Sequence, residues 1–105
     1  MELNNFPVHG RGLFPRMLIA HLDFAGDEIK DVPVTVQDFF ADKQKHGGRF
    51  GHFPALKMPD GFVMSETNSI CRFLAKKYKA KDGSSFYPGH SDPLLTYWID
   101  QFVDQ

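Results

Sequence analysis

Phe50-Gly51-His52-Phe53-Pro54-Ala55-Leu56-Lys57-Met58-Pro59-Asp60-Gly61-Phe62-Val63-Met64-Ser65-Glu66-Thr67-Asn68-Ser69-Ile70 holds an extended X-Pro step, a tight hairpin and a helix start in direct succession. The residue before a proline is pushed into extended backbone, and proline donates no ladder hydrogen bond, so Phe53-Pro54 offers an open backbone edge. Pro59-Asp60-Gly61 turns the chain between two short apolar runs, the signature of a hairpin. Ser65 is expected to cap the helix that follows. The amides of Glu66, Thr67 and Asn68 are then expected as unpaired helix-start donors beside the hairpin, an arrangement suited to an anion.

Outward from this stretch, the chain of 105 residues is sized for one core. Eleven phenylalanines and a hydrophobic fraction of 42% favour a packed globule, and a formal charge of -1 gives no electrostatic reason to expect nucleic acid or an anionic membrane. Cys71 is the only cysteine, which excludes an internal disulfide and any C-x-x-C motif and points to a reducing, cytoplasmic setting. No apolar run approaches the roughly 18 to 20 residues that span a bilayer, and the N-terminus lacks a signal-peptide core, so the chain reads as soluble and unprocessed. The five histidines form no i, i+4 pair and have no cysteine at ligand spacing, which argues against a metal. Neither a nucleophile elbow nor a phosphate-loop glycine pattern is present.

Residues 2–6 read as a first strand, followed by a Gly10-Arg11-Gly12 loop and a helix with Pro15 in its first turn. Phe14, Met17, Leu18, His21 and Leu22 fall at the spacing of one buried helical stripe. Val32, Val34 and Val36 alternate with Pro33 and Thr35 as an edge strand, and residues 37–45 as a short helix stopped at Gly47-Gly48. Thr67, Ile70, Cys71, Leu74 and Tyr78 mark the inner face of the helix after the hairpin, and Lys76, Lys77 and Lys79 complement its C-terminal dipole. On that face Cys71 reads as a buried, inert thiol. Residues 80–90 form a polar connector, and Asp92-Pro93 restarts a helix whose Leu94, Leu95, Trp98, Ile99 and Phe102 stripe needs a partner surface. The order of elements gives an α/β class.

Taken together, Gly10-Arg11-Gly12 with Arg16, Phe50 to Leu56, Asp60-Gly61, and Ser65-Glu66-Thr67-Asn68-Ser69-Ile70 running into Arg72-Phe73-Leu74 resemble the N-terminal, thioredoxin-like domain of cytosolic glutathione S-transferases. The sigma-like group, with the haematopoietic prostaglandin D synthases, is the nearest in pattern. The resemblance implies a thioredoxin-like βαβ-α-ββα domain over residues 1–81, a connector over 82–92, and the first helix of an all-helical C-terminal region over 93–105. It implies glutathione as the substrate, conjugated through its thiol to electrophiles. Pro54 matches the family's cis-proline, with the Phe53 backbone pairing with the cysteinyl part. Glu66 and Thr67 match the grip on the γ-glutamyl end, Arg11 the arginine of the active-site loop, Phe39 and Lys43 the border of the glycyl end, and His52 a position often held by lysine or glutamine.

The pattern departs from the family at Asn5, which stands where the sigma-like enzymes carry the tyrosine that donates to the glutathione sulfur. The chemistry needs a thiolate, and a donor held at the sulfur favours that charged form. An asparagine amide can supply one, so Asn5 is the expected catalytic contact. A competing expectation is a non-catalytic module that keeps the fold as a docking surface, with a homodimer or an assembly partner meeting the C-terminal helix. A glutathione-dependent thiol-disulfide reductase is a third, working through bound glutathione alone.

Overall fold

Leu3 and Leu56 face each other across the central pair of a four-stranded sheet, both fully buried, and around that contact the computed structural model of residues 1–87 and 92–105 is arranged. Strand β1 (Glu2–Asn5) pairs in parallel with β3 (Lys30–Pro33) and antiparallel with β4 (Ala55–Lys57), which continues through a hairpin into β5 (Val63–Met64). The sheet order is β3-β1-β4-β5, and a second small ladder joins β2 (Leu22–Asp23) to β6 (Lys79–Ala80). Helix α1 (Leu13–His21) crosses from β1 to the second ladder, α2 (Val36–Ala41) and α3 (Lys43–Gly47) lead from β3 to β4, and α4 (Thr67–Lys77) follows β5. Helix α5 (Pro93–Asp104) closes the chain. This is the α/β architecture expected from the order of elements. The expected connector over residues 82–92 falls partly outside the described residues.

The firmest element is α4. Ile70, Cys71, Leu74 and Tyr78 are buried at the spacing read from the sequence, and with Leu22 and Leu56 they build the core. The hairpin is also as expected: Gly61 N–H donates to the Met58 carbonyl at 3.0 Å, and the Asp60 carboxylate accepts from Phe62 N–H at 2.9 Å.

Three local readings are corrected. Phe14 and Met17 do not lie on the buried side of α1; they are 60% and 58% exposed, His21 is exposed with them, and the helix buries Pro15 instead while Leu18 and Ile19 pack against the core. The alternating valines do not make one strand. Asp38 N–H donates to the Thr35 hydroxyl at 3.1 Å, so Thr35 caps α2 and Val36 is its first residue, while β3 ends at Pro33. Ser65 does not cap α4 either. Its hydroxyl donates to the Gly47 carbonyl at 2.7 Å, and Glu66, at φ 73°, is the residue from which the helix departs.

Polar contacts fix α5 to α4. Arg72 meets Asp100 at 2.9 Å and Asp104 at 2.6 Å, the Tyr87 hydroxyl donates to Asp100 at 2.7 Å, and Asn68 donates to the Val103 carbonyl at 3.4 Å. The Tyr87 hydroxyl first, and Arg72 with it, holds the Asp100 carboxyl below the usual carboxylate range. The outer face of the helix stays exposed, with Phe102 at 80%.

Burial pushes the Cys71 thiol from 9.0 up to about 11, with the neighbouring Arg72 charge opposing weakly. The folded state therefore holds that proton more tightly than the unfolded chain. Its contribution to stability is complete below pH 9 and is lost as pH rises towards 11. Denaturant midpoints measured across this window should fall more for the unaltered chain than for Cys71→Ala, by an amount on the order of 2 kcal/mol in unfolding free energy. Parallel pH profiles would contradict the assignment.

Candidate functional site

The loop from β1 into α1 begins at Asn5, which is 4% exposed at the sheet's end. Its side-chain amide donates to the carbonyls of Val8 at 3.1 Å and His9 at 3.3 Å, so both of its hydrogens are directed at the loop. Asn5 can meet a ligand sulfur only by exchanging one of these bonds. Val8 N–H closes a tight turn onto the Phe6 carbonyl at 2.7 Å, and a 3-10 turn over Gly10–Gly12 delivers the chain to α1 with Arg11 exposed. Gly12 is needed there for a packing reason, since a Cβ would collide with the buried side-chain amide of Asn5.

Phe53-Pro54 enters β4 through a cis peptide bond. Pro54 is fully buried, and Phe53 lies outside the ladder, whose register pair at this end is Asn4 with Ala55. Beneath the loop Phe6, Phe39 and Phe53 form an aromatic cluster with ring centroids 4.5 to 5.1 Å apart. Phe40 adds to it, and the Lys43 ammonium sits 4.6 Å from the Phe40 ring. Phe39 is thus both core and floor.

The third part of the site is the start of α4. The first backbone bond of this helix runs from Ile70 N–H to the Glu66 carbonyl at 2.9 Å, which leaves Thr67, Asn68 and Ser69 N–H without an intrahelical acceptor. The free donors are therefore displaced by one residue from the set expected with Ser65 as cap. The Glu66 side chain is exposed and lies 3.7 Å from His52 Nδ1, linking the helix start to the Phe53 loop. A non-glycine residue at positive φ costs on the order of 1 to 3 kcal/mol and persists only where its surroundings impose it.

These parts enclose neighbouring clefts. One, of about 490 Å³, is lined by Asn5, Arg11, Phe39, Lys43, His52 and Phe53 together with Val8, His9 and Phe40. The other, of about 660 Å³, is lined by Arg11, Glu66 and Thr67 together with Asn68, Ser69, Phe14 and Phe102. Gly10 and Arg11 border both. Pro54 is fully buried and lines neither. Sequence reading missed Phe14 and Phe102. Both stood as stripe residues with no local sign that α1 and α5 converge here. A larger apolar cleft of about 750 Å³, between Phe50, Phe62 and Phe73, contains none of the expected residues. Among the described residues no cluster suited to a metal ion occurs.

The arrangement can take a small extended molecule with anionic ends. Arg11 and Lys43 offer fixed positive charge, the helix start offers free amides and the Thr67 hydroxyl, Glu66 offers a partner for an ammonium, and the Phe53 backbone offers an unpaired edge.

Comparison with known proteins agrees with this geometry. Residues 15–82 match the family model described as glutathione S-transferase, N-terminal domain. A probable glutathione S-transferase 5 of Caenorhabditis elegans is 28% identical over 103 residues, covering 98% of this chain and 46% of the relative. Glutathione S-transferase P 1 of Xenopus laevis is 33% identical over 92 residues, covering 86% of this chain and 42% of the relative. The chain thus spans less than half the length of these relatives. Among solved structures, a monomeric glutathione S-transferase of the hookworm Necator americanus superposes with a TM-score of 0.73 at 25% identity, covering 99% of this chain and 44% of the hookworm protein. A prostaglandin synthase D of Nilaparvata lugens shares the fold, with a TM-score of 0.71 at 21% identity, covering 98% of this chain and 45% of that protein.

The contact between Gly12 and Asn5 gives a direct test of the loop. Gly12→Ala should lower thermal stability by about 1 to 3 kcal/mol, the usual cost of forcing extra volume into a packed site. A variant that melts with the unaltered protein would show that the loop is not held as described.

Proposed function

The chain belongs to the glutathione S-transferase family, and from that membership we propose that the two neighbouring clefts bind glutathione and present its thiol for conjugation to electrophiles. The observation that carries this reading is that Arg11 borders two neighbouring clefts, one holding Phe53 and the other holding Glu66 and Thr67 at the free start of α4. The γ-glutamyl end fits that start. Its carboxylate takes the Thr67 hydroxyl and free amides, and its ammonium takes the Glu66 carboxylate. The cysteinyl part pairs with the Phe53 backbone beside Pro54, in the way an extended peptide adds to a sheet edge.

The glycyl carboxylate lies towards Lys43 and His52, over the aromatic floor of Phe39, and Arg11 sits between the two ends. The thiol then faces Asn5, the expected donor to sulfur. Helix α5 borders the electrophile side, because Phe102 lines one cleft while Leu94 and Trp98 remain exposed. The same exposed stripe favours a second reading, in which the fold serves as a docking module or a homodimer half that meets its partner through α5. A cytoplasmic setting suits a substrate that must stay reduced.

Calorimetric titration separates these readings. Glutathione should release or absorb measurable heat at or below millimolar concentration, and Thr67→Val should weaken binding by about 1 to 3 kcal/mol because a ligand carboxylate loses its hydroxyl partner. A docking module predicts no heat and no effect of Thr67→Val. Silence at millimolar glutathione would overturn the substrate assignment.

A further inference from the structure

The Val8 carbonyl is unusual in this site because it accepts twice, from Asn5 Nδ2 at 3.1 Å and from Arg16 Nη1 at 2.8 Å. Arg16 reaches it from α1 with its guanidinium already fixed by Asp31, whose two carboxylate oxygens take Nε at 2.6 Å and Nη2 at 3.1 Å. Asp31 stands on β3, opposite Leu3 in the parallel register, so the brace is anchored on the sheet that carries Asn5. A bidentate pair fixes the guanidinium plane, and the remaining Nη1 then points where the fork geometry sends it.

The consequence concerns the amide of Asn5. A carbonyl oxygen has two acceptor sites, and here each is filled. If Asn5 turns one hydrogen from Val8 towards a sulfur in the cleft it lines, the carbonyl keeps its shorter, charge-assisted bond to Arg16 and no backbone group is orphaned. The second amide hydrogen, on the His9 carbonyl at 3.3 Å, keeps the side chain in place during the exchange.

We propose that Arg16, fixed by Asp31, is a positioning residue that releases the Asn5 amide from Val8 so that it donates to the sulfur of bound glutathione. This rests on the glutathione reading above. In the step itself the S–H bond breaks, its electron pair stays on sulfur, and the proton passes to solvent. Asn5 retains its own hydrogen and stabilises the sulfur anion by a hydrogen bond. Neither Arg16 nor Asp31 touches the ligand.

Ultraviolet absorption of the thiolate, followed for glutathione bound to the purified chain from about pH 5 to pH 9, reads the sulfur directly. Calorimetry with S-methylglutathione, which has no thiol proton, reads the fit of the rest of the tripeptide. Arg16→Lys cannot keep both Asp31 and the Val8 carbonyl in one fixed fork. Asp31→Asn preserves shape while removing the charge that holds it. Both variants should show about tenfold less thiolate at neutral pH while binding S-methylglutathione within about twofold of the unaltered chain.

Unchanged thiolate in both variants would overturn the proposal, as would equal losses in thiolate and S-methylglutathione affinity, which mark a merely structural brace. Glutathione bound to the unaltered chain with its thiol titrating as in free solution would overturn the proposal alone. Failure to bind either tripeptide would overturn the glutathione reading itself, and the proposal with it.

Discussion

The hydrogen bond from the Ser65 hydroxyl to the Gly47 carbonyl, 2.7 Å long, decides how the chain enters α4. It ties the end of α3 to the junction between β5 and α4, and it forms because Gly48 carries no side chain. A Cβ there would lie 2.7 Å from Ser65 Oγ and 2.8 Å from the Val63 carbonyl, and the residue also holds φ at 66°, where glycine is least penalised. With Ser65 spent on this tie, the turn into α4 falls to Glu66 in left-handed backbone. The helix therefore starts with uncapped amides beside the Phe53 edge rather than with a serine covering them.

From this junction the electrostatics follow. The N-terminus of α4 carries partial positive charge, and Arg11 and Lys43 approach from separate elements, while Glu66 supplies a carboxylate at the border of the helix-start cleft. Such a pattern suits a zwitterionic peptide with two carboxylates better than a simple anion. The aromatic floor of Phe6, Phe39 and Phe53 keeps this polar rim on a rigid base, since each ring is held edge-on or tilted by another.

Much of this was legible in the sequence where one local rule acted alone. Helix α4 was readable because its apolar spacing has a single solution, and the Pro59-Asp60-Gly61 turn because its residues carry the turn chemistry themselves. Helix α1 was misread because apolar residues surround most of it. Leu13, Phe14 and Met17 form one face and Pro15, Leu18 and Ile19 another, so periodicity alone could not choose which one the core takes. Thr35 and Ser65 are hydroxyl residues ahead of helical segments, yet one caps its helix and the other bonds to a glycine eighteen positions away. Only tertiary proximity distinguishes them. The identity of Asn5 was visible, but its commitment to Val8 and His9, and the second donor that Arg16 brings to Val8, arise from a loop path no spacing encodes.

The proposed function depends on a tripeptide lying across the Phe53 edge and the start of α4. Backbone amide resonances of the isotope-labelled chain, followed by NMR during titration with glutathione, test it residue by residue. With a tripeptide in this position, the resonances of Phe53, Thr67, Asn68 and Ser69 shift most and saturate together. Shifts that instead gather around Arg49, Phe50 and Phe62, with the α4 start unmoved, would contradict it.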